Sequence, residues 1–138
     1  MVDFNFVDAN TPDFDPCTYI QILLAIAKAD KENGPSEYAF VRRQARQLGI
    51  DYDYYHKVTD KDFLLAPQKV SRLTALMVLK DAIALASLDG NFSLPEKQRI
   101  FGYAEKLDAT RNDVEALASL VSAYYGLIDQ WRKLVRAR

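Results

Sequence analysis

The sequence predicts an all-α fold, a compact bundle of about six to seven helices built from two helical hairpins related by a pseudo-two-fold axis. The main observation is an internal repeat. Residues 25–37 and 84–96 each contain an apolar helical run that ends in Asp, then a polar loop, then a Glu seven positions after the Asp. Apolar residues beyond the loop match at the same offset, namely Val41, Ala45 and Leu48 with Ile100, Ala104 and Leu107. This indicates a duplicated helix, loop, helix unit.

Two further observations support the fold class. No alternating apolar and polar pattern favours a sheet. Since neither hairpin can cover its own apolar face, the two copies are expected to pack against each other. We predict a single domain over 1–138, with repeat one at about 18–50, repeat two at about 70–109 and a C-terminal helix at about 110–136. The 138 residues, 49% of them hydrophobic, suffice for one core.

Local signals mark the helices of the first half. Asp15 is suited to cap a helix over 16–29 that is apolar on nearly every side and therefore central. Pro35 opens a second helix, which Gly49 stops after about Leu48. The Tyr-rich segment 51–58 predicts a short helix or a turn, although Tyr and Val also suit strands.

The second half is predicted to hold three longer helices. Residues 59–67 form a connector with room for one helical turn, and a second central helix follows over 67–88. Ser93 and Glu96 form a capping box, in which hydroxyl and carboxylate satisfy backbone donors reciprocally, at the start of a helix that ends near 107. The last helix begins with a similar capping signal. The residues predicted on its inward side are Val114, Leu117, Val121, Tyr124, Tyr125 and Ile128.

Composition limits the cellular setting. The single Cys17 excludes an internal disulfide, and the first residues lack the basic and then apolar pattern of a secretory signal, so we expect a cytoplasmic protein. The longest apolar run, 70–88, carries Lys80 and Asp81 near its middle, where a bilayer would penalise both charges. We therefore predict a core helix there and no membrane span.

The repeated loops, residues 30–37 and 89–96, resemble the loop of the tellurite-resistance TerB family: an apolar helix followed by Ala-Asp-Gly, an acidic and an apolar residue, Ser-Pro and a closing Glu. The similarity covers about 20–107. It implies an all-helical, non-enzymatic bacterial domain with internal pseudo-two-fold symmetry, linked to tellurite and other stress resistance and to metal binding through clustered acids. It also implies a protein partner, such as the membrane-associated resistance proteins of the family.

Two interpretations of the acidic loops stay open. In the structural one, each Asp accepts backbone N–H groups of the next helix and each Glu is the third residue of a capped helix. In the functional one, the loops supply oxygen ligands for Ca²⁺ or Mg²⁺. Both loops lack the length and the central Gly of an EF-hand, so binding would be weak, and the loops could form one site or two. The candidate metal ligands are Asp30, Glu32, Glu37, Asp89, Asn91 and Glu96.

An interaction module is the alternative function. Trp131 beside Arg132 and Lys133, together with several Tyr residues, belongs to the residue types that dominate protein interfaces, and the C-terminal helix could pack on a protein partner or form a homodimer. Equally, the aromatic side chains could complete the core with their hydroxyls at the surface.

Other function classes find little support. Arg42, Arg43 and Arg46 make a small basic stripe, but a formal net charge of −1 provides no broad positive field, so we expect no nucleic acid partner. The sequence contains no catalytic triad, phosphate-binding loop or complete metal motif. His56 has no Cys or His at ligand spacing, and Cys17 has no base near it in sequence.

Overall fold

The computed structural model describes residues 7–8, 10–29, 35–64, 66–87 and 93–137. Within these ranges the chain contains no strand, which confirms the all-α prediction. The described residues form six α-helices and a short 3-10 helix over Lys61–Leu64: α1 (Pro16–Ala29), α2 (Pro35–Leu48), α3 (Tyr52–Val58), α4 (Arg72–Ala86), α5 (Leu94–Lys106) and α6 (Arg111–Arg136).

Helices α1 and α4 form the centre of the bundle, as predicted. They pack against each other, α1 also contacts α2 and α3, and α4 also contacts α5 and α6. Most of the side chains that are almost fully buried belong to these two helices, including Tyr19, Ile20, Leu24, Val78 and Leu79. The pairing of α1 with α2 and of α4 with α5 is what two hairpins require, while the pseudo-two-fold relation between them stays a prediction.

The ends of the helices in the first half of the chain lie where the local signals place them. A carboxylate oxygen of Asp15 accepts the backbone N–H of Thr18 at 3.3 Å, and α1 begins at the following Pro16. Gly49 has a φ of 71°, the left-handed conformation that ends α2 without a steric penalty. Asp51 caps α3 by accepting the N–H of Tyr54 at 3.2 Å, so the Tyr-rich segment is helical and not a strand.

The start of α4 corrects the prediction of a helix over 67–88, because α4 begins only at Arg72. The Ser71 hydroxyl accepts the backbone N–H of Thr74 at 3.1 Å and caps the helix. The residues before Ser71 make other hydrogen bonds. The backbone N–H of Gln68 donates to the backbone carbonyl of Lys106 at 2.8 Å, and the Gln68 side-chain amide donates to the backbone carbonyl of Phe63. An apolar run alone did not show where this helix starts.

In the part of the chain that the structure describes, no helix combines the length and the apolarity that crossing a bilayer demands.

Candidate functional site

The acidic loops are described only at their downstream ends. Asp30, Glu32, Asp89 and Asn91 lie outside the described residues. Glu37 lies in the first turn of α2, where its carboxylate accepts the Ser36 hydroxyl at 3.2 Å. The positions of Glu37 and Glu96 therefore do not test the predicted geometry of either loop as a whole.

Glu96 adopts the capping role that the structural interpretation assigns to it. Its Oε1 atom accepts the backbone N–H of Ser93 at 3.2 Å and the Ser93 hydroxyl at 2.7 Å, and the backbone N–H of Glu96 in turn donates to the Ser93 hydroxyl oxygen at 3.3 Å. A carboxylate oxygen held by two donors is a poorer cation ligand than a solvated one, because binding must first break these hydrogen bonds.

Metal binding by the loops stays a prediction. Within the described ranges, His, Cys, Asp and Glu side chains form no group of three or more that could hold a metal ion. Since four of the six predicted ligands lie outside those ranges, this bears only on Glu37 and Glu96.

His56 lies in an aromatic and cationic environment. Its ring centroid is 5.7 Å from that of Tyr38 and 5.5 Å from that of Tyr52. Burial lowers the pKa of His56, and the positive charges of Lys28 and Arg42 lower it further. The Lys28 ammonium also donates to the backbone carbonyls of His56 and of Thr59. His56 thus lies at a contact between α1, α2 and α3.

Cys17 and the arginines of α2 are also engaged with aromatic residues. The half-buried Cys17 lies beside Tyr55, and a hydrogen bond between their side chains raises the pKa of Tyr55. The Arg42 guanidinium stacks over the Tyr52 ring, 4.9 Å from its centroid, and the Arg43 guanidinium over Phe40 at 5.6 Å. The three arginines of this helix differ in exposure, since Arg42 and Arg46 are exposed and Arg43 is half-buried.

A buried polar network crosses the core, and sequence reasoning did not predict it. Lys80 Nζ and Asp81 Oδ1 are 2.9 Å apart. The Tyr19 hydroxyl donates to the other carboxylate oxygen of Asp81 at 2.5 Å, and the Gln44 amide donates to the Tyr19 hydroxyl at 3.1 Å. All four residues are at most 3% exposed. The signal in the sequence was two adjacent opposite charges inside an apolar helix.

The network joins three helices and is approached by a fourth. Tyr19 belongs to α1, Gln44 to α2 and the ion pair to α4, while Tyr125 of α6 donates its hydroxyl to the carbonyl of Ala84 at 3.2 Å. Burial raises the pKa of Tyr125, and the Asp81 carboxylate raises it further. Because burial this complete keeps out any solute, the network is suited to fix helix packing and not to bind a substrate.

Helix α6 carries an exposed apolar surface, which we name the α6 stripe. Large apolar side chains that are more than half exposed are otherwise few among the described residues. The stripe combines steps of three, four and seven residues, which place its members on one side of a helix, next to the side that packs on the core. Its members are Leu120 (54% exposed), Leu127 (62%), Trp131 (62%), Leu134 (68%) and Val135 (58%).

The end of α6 projects beyond the bundle. Val114 and Val121 are buried, Ile128 is half-buried, and every residue over 129–137 is exposed. The projecting turns carry three cations, Arg132, Lys133 and Arg136, and one acid, Asp129, which pairs with Lys133 at 3.0 Å. Sequence reasoning singled out this helix through Trp131 and its basic neighbours, but periodicity alone did not reveal how much of its apolar surface stays uncovered.

Comparison of the chain with protein-family models, with curated proteins and with solved structures finds no significant match.

Proposed function

We propose that this chain is a non-enzymatic, TerB-like interaction module of the bacterial cytoplasm, acting in tellurite or other stress resistance by binding an amphipathic helix of a protein chain to the α6 stripe. The observation that carries the proposal is the exposure of five large apolar side chains on one side of α6. The acidic loops are structural under this proposal.

The stripe supports a binding function because keeping it in water is unfavourable. Fully burying one Leu or Val side chain is worth about 1.5 to 3 kcal/mol relative to exposure. A contiguous, exposed apolar surface on a small domain therefore marks a binding site more often than isolated apolar residues do. Trp131 also belongs to the residue types that most often carry interface binding energy.

The shape of the stripe favours a helical partner. It is one residue wide over most of its length and follows a single α-helix, so an α-helix with its own apolar side chains at steps of three and four can lie along it. No pocket is required, since side chains of one helix fill the gaps between those of the other.

The cap at Glu96 supports the structural role of the loops. Its carboxylate is already used by Ser93, and the same box recurs at the start of α6, where Thr110 and Asp113 exchange hydrogen bonds at 3.0 and 3.1 Å. A recurring helix-capping device needs no bound ion to explain its acidic residues.

Site-specific photo-crosslinking in living bacterial cells tests the proposal. We expect a protein with p-benzoylphenylalanine in place of Trp131 to form a covalent adduct with a helix of a protein chain, identified by mass spectrometry. The matched control has the same photo-reactive residue in place of Lys133, which lies on the opposite side of the same projecting turns, and should give no such adduct.

A growth assay links the surface to physiology. The Leu127→Asp substitution is expected to abolish tellurite resistance that depends on this gene, while Ser122→Asp, which adds the same charge on the opposite face of α6, should preserve it. If position 131 gives no adduct, or only the pattern seen at position 133, the α6 stripe is not the binding surface and the proposal is wrong.

A further inference from the structure

The proposed function leaves open which helix binds the α6 stripe, and the stripe itself indicates an answer. We propose that it binds the stripe of a second copy of this chain, with the two α6 helices antiparallel. This inference rests on the proposed function and adds to it the identity of the partner and the orientation of the contact.

The apolar side chains of α6 follow a seven-residue repeat. Besides the exposed members of the stripe, the half-buried Leu117 and Tyr124 lie along its edge. Two sets of residues, three positions apart, each recur every seven residues, which is the spacing of the a and d positions in paired helices. The first set is Leu117, Tyr124 and Trp131, and the second is Leu120, Leu127 and Leu134.

An antiparallel pair brings these two sets together in a single register. A layer is a level of the contact at which one residue of each helix meets the other. In every layer the two residue numbers add up to the same value, so one two-fold axis generates the whole contact. Each layer then combines a residue of one set with a residue of the other, and no layer holds two indoles. The layers are Leu117 with Leu134, Leu120 with Trp131, and Tyr124 with Leu127, each occurring twice.

No charge lies beside the predicted seam. The flanking positions of paired helices usually carry charged side chains that select the partner. Here they are small or apolar on both sides, with one uncharged amide, so that nothing repels an identical helix and the alanines permit close approach. The flanking residues are Ala116, Ala123 and Gln130 on one side and Val121, Ile128 and Val135 on the other.

The cations of the projecting end favour the antiparallel orientation. A parallel pair would gather Arg132, Lys133 and Arg136 of both copies at one end. In the antiparallel pair the cations of one copy lie about 13 to 21 helical residues, or about 20 to 32 Å, along the contact from those of the other, which exceeds the Debye length of about 8 Å at physiological ionic strength. The two helix dipoles also oppose each other favourably.

The anchoring of α6 favours the same orientation. The helix is held in the bundle from Val114 to Ile128, and residues 129–137 project. In the antiparallel pair the projecting end of each copy lies along the anchored half of the other, where Leu120 is exposed. The two bundles then lie towards opposite ends of the contact.

The size of the surface sets the strength of the dimer. Each exposed member of the stripe offers about 100 Å² of apolar area, so that two copies bury about 1,000 Å² in total. Specific interfaces begin at about this size. A weak dimer that depends on protein concentration is therefore expected, and not an obligate one.

Sedimentation equilibrium of the purified full chain tests for the dimer. We expect reversible dimerisation as the concentration rises towards about 1 mM. Leu127→Asp should weaken dimerisation at least about 100-fold, because the two-fold axis places the substitution in the contact twice, once from each copy. The matched control Ser122→Asp should dimerise like the unaltered chain, and circular dichroism should show that both variants keep their helical content.

Disulfide trapping tests the orientation. In a Cys17→Ser background, one variant carries Ala123→Cys and another carries Gln130→Cys, both at exposed positions that flank the seam. An antiparallel pair places position 123 of one copy beside position 130 of the other, so the two variants should form a mixed disulfide when combined and little disulfide when oxidised alone. A parallel pair places positions 123 and 130 of the two copies on opposite sides of the seam and predicts little disulfide in either experiment.

Failure of this inference differs from failure of the proposed function. A strict monomer at the highest concentration, or disulfides formed mainly within each variant alone, overturns the antiparallel homodimer. Photo-adducts at position 131 that contain only other proteins overturn it too, yet they uphold the interaction module. Absence of any adduct at that position rejects the module itself.

Discussion

Lys80 and Asp81 lie side by side on α4, and each side chain is only 4% exposed. Removing two charges from water costs several kcal/mol for each ion, and their mutual attraction offsets this only when further hydrogen bonds complete the site. Tyr19 and Gln44 provide such bonds from two other helices. The network therefore contributes less to net stability than to the choice of one arrangement of α1, α2 and α4.

A double-mutant cycle tests this role. We expect Lys80→Met and Asp81→Asn to lower the free energy of unfolding by about 3 to 5 kcal/mol each, since either leaves a buried group without the opposite charge 2.9 Å away. The double variant should recover most of this loss, because neither charge remains. Urea titrations provide the four values. If the effects of the two substitutions are simply additive, the pair is not energetically coupled.

Asp113 provides a second prediction for a single residue. The pKa of Asp113 is lowered from 3.8 to about 2, mainly by the Arg72 guanidinium, 2.9 Å from Oδ1, and next by the backbone N–H of Thr110. A carboxyl group with a lower pKa in the folded state stabilises the fold above the pKa of the unfolded state, and this contribution is lost as the pH falls through the folded pKa.

The sign of the pH effect follows. Asp113→Asn should unfold at a lower urea concentration than the unaltered chain at neutral pH. The difference should shrink as the pH falls from about 4 to about 2, the interval between the unfolded and folded pKa values. Arg72→Gln should show the same trend. A difference that stays constant over this interval would contradict the role assigned to the ion pair.

Among the elements, the starts of α5 and α6 share one design. Both helices open with a capping box, Ser93 with Glu96 and Thr110 with Asp113. The box is read directly from residues three positions apart, so the sequence predicted both helix starts. The start of α4 was not predicted, because Ser71 has Thr74 three residues later, where a capping box has an acid or its amide, and Pro67 is itself suited to begin a helix.

Substitutions at the α5 cap distinguish the structural from the metal-binding interpretation. Ser93→Ala should lower the free energy of unfolding by about 1 kcal/mol. Glu96→Gln should leave it almost unchanged, since the amide oxygen still accepts the N–H of residue 93. The Gln variant should also leave any heat of Ca²⁺ or Mg²⁺ binding unaltered in calorimetry. Loss of a binding heat in this variant would instead favour the predicted metal site.

In the whole molecule, α6 has two roles that its sequence pattern does not separate. Its inward side, with Val114 and Val121, completes the core against α4 and α5, while the adjacent α6 stripe stays exposed. Both sides are apolar and recur at helical spacing. Which of them is covered depends on how α6 faces α4 and α5, since Leu120 and Leu127 are exposed within the part of the helix whose other side is packed on the core.

The sequence by itself determined the helices, apart from the start of α4, because caps, glycine stops and apolar periodicity act within a few residues of each other along the chain. It also determined that α1 and α4 are central, since they are apolar on nearly every side. Only the tertiary structure decided that Tyr19 and Gln44 complete the Lys80–Asp81 pair and that α6 extends beyond the core. Both features depend on contacts between residues far apart in sequence, which no local spacing specifies.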